Sequence, residues 1–235
     1  MRILIVENLR NTELGQVGVA LDEAGAEQIW CRPWNGEALP ADDKGFDGLV
    51  VLGGEQSAID DALHPYLPDL ARLMKQFGDA DKAVLGICLG SQLLARAHGG
   101  NNLLGQTREF GWHRVSVSDA GREDPVLSVM DADFPIFEWH SDTFTLPEGA
   151  VHLAHNPAVA NQCFRIGRAS YGMQFHFEAD RSVVENWKRG FAETIERMSP
   201  GWLADYETHA AGDGVIADAA GLAIARAWVG QVRLG

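Results

Sequence analysis

The sequence predicts an α/β fold, an open, mainly parallel sheet flanked by helices, with an additional antiparallel β portion. Three observations carry this expectation. Apolar strand-like runs alternate with helical stretches through the first part of the chain, the pattern of βαβ units. The run 83–87 passes through Gly86-Ile87-Cys88-Leu89-Gly90 directly into an apolar periodic segment. Beyond residue 114 the alternation gives way to short β-like runs separated by turns.

In order, residues 2–6 read as a buried first strand, with no charged leader before it. Residues 12–24 read as a helix stopped by Gly25, and 27–32 as the second strand. The polar, turn-rich stretch 33–45 is a loop. Residues 48–52 form the third strand, 53–61 a loop, and 65–78 a helix. The strand at 83–87 and its helix follow, the latter ended near residue 98 by Gly99-Gly100. The runs 115–117, 134–139, 151–154 and 162–166 supply the antiparallel portion. Residues 171–178 read as the last strand, and a helix from 181 to 197 ends at Ser199-Pro200-Gly201. This makes 1–198 one domain and 199–235 a C-terminal helical extension packed on it. Asp213-Gly214 interrupts the extension, and 217–229 has helical spacing. An oligomer contact, between copies of this chain or with another partner, is the other reading of that tail.

Composition narrows the function. Hydrophobic residues make up 46% of the 235 residues, enough for a substantial core. The net charge of −14, with no basic run, argues against nucleic acid and anionic membranes as partners. No stretch approaches the roughly 18 apolar residues of a membrane span. Cys31, Cys88 and Cys163 form no close pair, so a reducing compartment, the cytoplasm, is expected.

Gly86-x-Cys88-x-Gly90 has the form of a nucleophile elbow with Cys in place of Ser. Flanking glycines leave room where strand and helix meet sharply, and the helix N-terminus favours thiolate over thiol. A lone cysteine is more often a small core residue. A second constellation changes the balance: Gln174-Phe175-His176-Phe177-Glu178 carries a histidine and a carboxylate two residues apart, on one side of an extended segment. Such a carboxylate orients the imidazole, which takes the thiol proton. His98, His113 and His140 make no metal pattern with the cysteines, and neither a metal nor another cofactor is expected.

These segments resemble the class I, triad-type glutamine amidotransferases. The elbow Gly86-Ile87-Cys88-Leu89-Gly90-Ser91-Gln92 is similar to theirs, and His176-Phe177-Glu178 to their His-x-Glu motif. Phe46–Gly54 looks like the strand and glycine turn that supply an oxyanion amide, and Glu109-Phe110-Gly111 like the Glu-x-Gly segment. Glu138-Trp139-His140-Ser141-Asp142 is most similar to free-standing members related to the glutaminase domain of GMP synthase. The resemblance implies a flavodoxin-like sheet and a Cys88, His176, Glu178 triad. It implies oxyanion donors at the amides of Leu89 and Gly54, and substrate contacts from Gln92, Ser141 and Asp142. Glu109 could anchor the loop around the site, but a plain structural salt bridge is the expected role.

Two departures stand out. Glu55 follows Gly53-Gly54 where the family usually has Pro, which implies a more flexible loop. Phe177 stands where Pro is frequent between the His and the Glu. The activity implied is cleavage of the γ-glutamyl amide of glutamine through a Cys thioester, releasing glutamate and ammonia. A synthase on a separate chain would then receive the ammonia. A stand-alone γ-glutamyl peptidase and a non-catalytic regulatory module are the alternatives.

Overall fold

The computed structural model describes residues 1–234. The strands are β1 (Arg2–Val6), β2 (Glu27–Cys31), β3 (Gly48–Val51), β4 (Ala83–Ile87), β5 (Asn102–Leu103), β6 (Glu109–Val117), β7 (Asp133–His140), β8 (Thr143–Phe144), β9 (Val151–His155), β10 (Cys163–Ile166) and β11 (Ser170–Met173). The helices are α1 (Gly15–Glu23), α2 (Leu67–Asp79), α3 (Leu89–Ala97), α4 (Asp119–Arg122), α5 (Arg181–Gly190), α6 (Ala192–Met198), α7 (Trp202–His209) and α8 (Val215–Val229).

One nine-stranded sheet runs β2-β1-β3-β4-β11-β10-β9-β6-β7, and β5 pairs with β8 separately. The first five strands in that order are parallel and the remaining pairings antiparallel. The expected fold class is therefore observed. The antiparallel portion continues the main sheet beyond β11.

Strand alternation divides the core. Ile3, Ile5, Val50, Leu85 and Ile87 face one layer, which includes α1, α5 and α8. Leu4, Val6, Leu49, Val51 and Val84 face the other, which includes α2 and α3. With both faces covered, the parallel strands read as continuous apolar runs in the sequence. Their carboxyl ends lead into Asn8, Gly53 and Cys88 on one rim, where open α/β sheets bind ligands.

Several elements differ from expectation. β6 begins at Glu109, not near 115, and Gly111 at φ +106° lies against the Trp202 indole. The last strand stops at Met173, because the chain then leaves the β4–β11 ladder and His176 N–H donates to Phe137 O of β7. The single helix expected over 181–197 breaks at Gly190-Phe191, where Phe191 turns to pack edge-on against Trp139. Asp213-Gly214 does not interrupt the tail. A π-helical turn over Ala210–Gly214 carries α7 into α8, which packs on α1 and β7. Among the described residues no helix is long and apolar enough to cross a membrane.

Candidate active site

The elbow is steric in origin. A Cβ at Gly86 would lie 2.3 Å from Gly90 O, and one at Gly90 would lie 2.2 Å from Val51 O, so neither position admits a side chain without displacing backbone. Between them Cys88 is held at φ +51° and ψ −107°, a region that L-residues rarely occupy. The strain raises its side chain at the start of α3. Its Sγ lies 3.8 Å from Trp139 O.

His176 and Glu178 reach the same place from the turn beyond β11. His176 Nδ1 lies 2.7 Å from Glu178 Oε1. The ring borders Gly53, where an added Cβ would lie 3.2 Å from His176 Cε1 and 3.5 Å from Cys88 Cβ. Burial works against a charged imidazole here, but the Glu178 carboxylate and the Cys88 sulfur outweigh it and push the ring pKa well above its ordinary value. Phe177 is a buried core residue, and the His–Glu hydrogen bond forms without a proline between them.

Cys88 and His176 open into a cavity of about 690 Å³, also bordered by Gly54, Leu89, Gln92, Ser141 and Asp142. Leu89 N–H heads α3, where no intrahelical acceptor exists. Gly54 N–H donates to no acceptor among the described residues. Gln92 neither caps its helix nor faces solvent. It is buried, and its Nε2 bridges Asp142 O at 3.3 Å and Gln174 Oε1 at 3.2 Å. Asp142 Oδ1 accepts from Gly105 N–H at 2.8 Å, while Ser141 is exposed.

Behind this wall lies a buried charge cluster. His140 Nε2 is 3.2 Å from both Glu109 Oε2 and Glu138 Oε2, and its Nδ1 lies 2.9 Å from Asp142 O. Burial opposes the charged ring, yet the hydrogen bond to Glu109 and the nearby Glu138 carboxylate raise its pKa to about 10. Burial pushes the Glu138 carboxyl up. Glu109 would also be raised by burial, but His140 and Asn156 hold it below the usual range. Glu109 forms the expected structural ion pair, with His140, and also accepts from Asn156 and Gln162. Glu109, Glu138 and His140 bring ligand-type atoms within 4.8 Å of one another. An imidazolium already supplies the positive charge that such carboxylates require.

The sequence reading missed the opposite wall. Trp187 meets the His176 ring edge-on at 5.2 Å, and Trp139 donates from Nε1 to Met198 Sδ at 3.1 Å. The signal was the amphipathic spacing of α5, which puts Trp187 on the face of Val183 and Val184. The flexible loop expected at Glu55 is instead pinned. Gln56 Nε2 donates to Asn8 O at 2.6 Å and Tyr66 Oη at 3.2 Å, Tyr66 donates to Asn8 Oδ1 at 3.3 Å, and Asn8 Nδ2 donates to Leu52 O at 2.7 Å. Arg96 of α3 forks onto Asp61 with two bonds of 2.7 Å and also donates to Ala58 O. Side-chain hydrogen bonds do here what a proline ring would do elsewhere.

A doubly wound sheet with a cysteine elbow facing a histidine–carboxylate pair defines the class of site. Comparison with known proteins gives the family. The glutamine amidotransferase class-I profile matches residues 16–186. The glutamine amidotransferase-like protein YfeJ of Salmonella typhimurium is 33% identical over 167 residues, covering 70% of each chain. The glutamine-hydrolyzing GMP synthase of Christiangramia forsetii is 29% identical over 185 residues, covering 75% of this chain and 34% of its own. The chain therefore spans about a third of that synthase. A crystal structure of a glutamine amidotransferase from Thermotoga maritima superposes with a TM-score of 0.85 at 25% identity, covering 99% of this chain and 98% of its own. The chain belongs to the class-I glutamine amidotransferase family.

Proposed function

We propose that the protein hydrolyses the γ-glutamyl amide of glutamine, releasing glutamate and ammonia, with Cys88, His176 and Glu178 as its catalytic residues. The observation that carries this reading is the strained Cys88 facing the His176–Glu178 hydrogen bond across one cavity.

An amide is a poor electrophile and its nitrogen a poor leaving group until protonated. The Cys88 thiolate attacks the side-chain carbonyl, and the negative charge that develops on oxygen is met by the N–H groups of Leu89 and Gly54. The raised pKa of His176 supports an imidazolium that donates its proton to the departing nitrogen. The neutral ring then takes a proton from water as it attacks the thioester. Glu178 fixes the ring orientation and stabilises its charged form. Gln92, Ser141 and Asp142 border the space for the glutamyl group, and the aromatic wall by Trp187 keeps bulk water from the ring.

The ammonia is taken up by a synthase on a separate chain. The GMP synthase relative, named as glutamine-hydrolyzing and matched over 34% of its own length, supports the coupling of this domain to a synthase. Three buried, unpaired cysteines accord with a cytoplasmic setting. The test is release of glutamate and ammonia from L-glutamine, beside a panel of γ-glutamyl peptides and a Cys88→Ala control. Release from glutamine that disappears in the variant supports the reading, and release from peptides alone overturns it.

A further inference from the structure

The C-terminal helix α8 lies beyond the stretch matched by the family profile, which ends at residue 186. It nevertheless touches the turn that carries the histidine and the carboxylate. Gly221 packs so closely on that turn that a Cβ would lie 2.1 Å from Phe177 O, the carbonyl between His176 and Glu178. From the other side, Gln16 N–H of α1 donates to Glu178 O at 2.8 Å. Gly15, at φ +47°, leaves no room either, since a Cβ there would lie 1.9 Å from the same oxygen. Gln16 also joins the two helices: its Nε2 donates to Asp218 O of α8 at 3.2 Å. Asp218 in turn accepts from Arg181 N–H at 2.9 Å and Arg181 Nε at 2.6 Å, fixing the start of α5 just past the turn. Two successive carbonyls of the His-x-Glu turn are thus clamped between α1 and α8.

We propose that Gly221 and Gln16 are positioning residues for the His176–Glu178 pair, so that the C-terminal helix sets the geometry of the active site. The clamp rests on the roles given above to His176 and Glu178, but its consequences are readable without turnover. The turn has no regular ladder of its own beyond the bridge to Phe137, so its conformation follows whatever packs on it. Displacing Phe177 O rotates the peptide that links the two side chains. The imidazole is then displaced relative to Cys88, and the sulfur loses the partner that activates it.

The test is the rate at which iodoacetamide alkylates Cys88 at about pH 6, far below the ~8.5 of an isolated thiol, compared with the rate at about pH 9. Gly221→Ala is expected to slow alkylation at the lower pH by roughly tenfold or more and to leave the higher-pH rate nearly unchanged. On glutamine it lowers kcat with little change in KM. Gln16→Met keeps the backbone N–H on Glu178 and loses only the tie to α8, so a smaller effect of the same kind is expected. Ile216→Ala, on the exposed side of α8, serves as the control. If Gly221→Ala does not fold by circular dichroism, Gln16→Met decides on the same rates. Folded variants with the wild-type alkylation profile overturn the proposal. Wild-type protein that alkylates readily at low pH but releases no glutamate would overturn the glutaminase reading and leave the clamp to be judged by alkylation alone.

Discussion

His176 Nδ1 lies 2.7 Å from Glu178 Oε1, while Glu178 Oε2 is buried with no hydrogen-bond partner among the described residues. The carboxylate therefore depends on the imidazole for its compensation, and the pair favours a charged ring. Burial opposes that charge but is outweighed.

Glu178→Gln should lower kcat by up to about 10⁴-fold, as loss of an orienting carboxylate does elsewhere, with the fold retained. The sign of the pH effect follows from the same pair. Glu178 raises the pKa of the ring, so its loss lowers it, and the imidazolium needed for proton donation disappears at lower pH. The alkaline limb of kcat against pH should move downward in the variant. An unmoved limb would show that the carboxylate does not set the ring's protonation.

The loop that carries Gly54 is held by the Asn8, Gln56 and Tyr66 side chains. Burial pushes the Tyr66 hydroxyl up to about 12, which keeps it a neutral donor at working pH. Gln56→Ala and Tyr66→Phe should each cost about 1 kcal/mol of stability. Each should also lower kcat on glutamine by about tenfold with KM retained. Complete loss of an oxyanion donor, about 2.7–4 kcal/mol, sets the upper limit. A change in KM alone would place these residues in ground-state binding.

How far the sequence revealed this site depends on whether the signal was local. The elbow was legible because Gly86 and Gly90 are forced by contacts within two residues of Cys88 in sequence or on the neighbouring strand. The His–Glu pair was legible from its spacing, although the strand inferred to present it ends at Met173. What stayed hidden is long-range. Nothing near Glu55 announces that Asn8 and Tyr66 hold its loop, and nothing near Gly221 announces Phe177. The break at Phe191 was only half legible: Gly190 weakens the helix locally, but the contact of Phe191 with Trp139 lies 52 residues away in sequence (191 − 139). β6 was underestimated because Gly111 and the polar pair His113-Arg114 obscure the alternation.

The His140 cluster makes stability pH-dependent. The folded-state pKa of about 10 stands above the ordinary 6.5, so the native state binds the extra proton between those values. Its contribution is full below about pH 6.5 and is lost as pH rises towards 10. The raised Glu138 carboxyl acts in the same sense at its own pKa. Urea unfolding midpoints should therefore fall from pH 7 to pH 10. His140→Gln should be less stable at pH 7 by about 3–5 kcal/mol, the cost of breaking a buried ion group, with a flatter pH dependence. A steeper slope in the variant would contradict the assignment.

Gly90→Ala tests the elbow itself. Its Cβ would meet Val51 O at 2.2 Å, so β3 or α3 has to move. A loss of about 1–3 kcal/mol is expected despite the better helix propensity of alanine, together with slower alkylation of Cys88. Unchanged stability would mean that the strand and helix yield more readily than their burial indicates.

The central claim is that a thioester forms on Cys88. The most direct measurement is mass spectrometry of wild-type protein quenched in acid during turnover of L-glutamine, followed by peptide mapping. The account predicts a γ-glutamyl adduct on Cys88 that appears during turnover and decays once glutamine is exhausted. Continued glutamate release with no adduct at Cys88, or release that survives in Cys88→Ala, would contradict it.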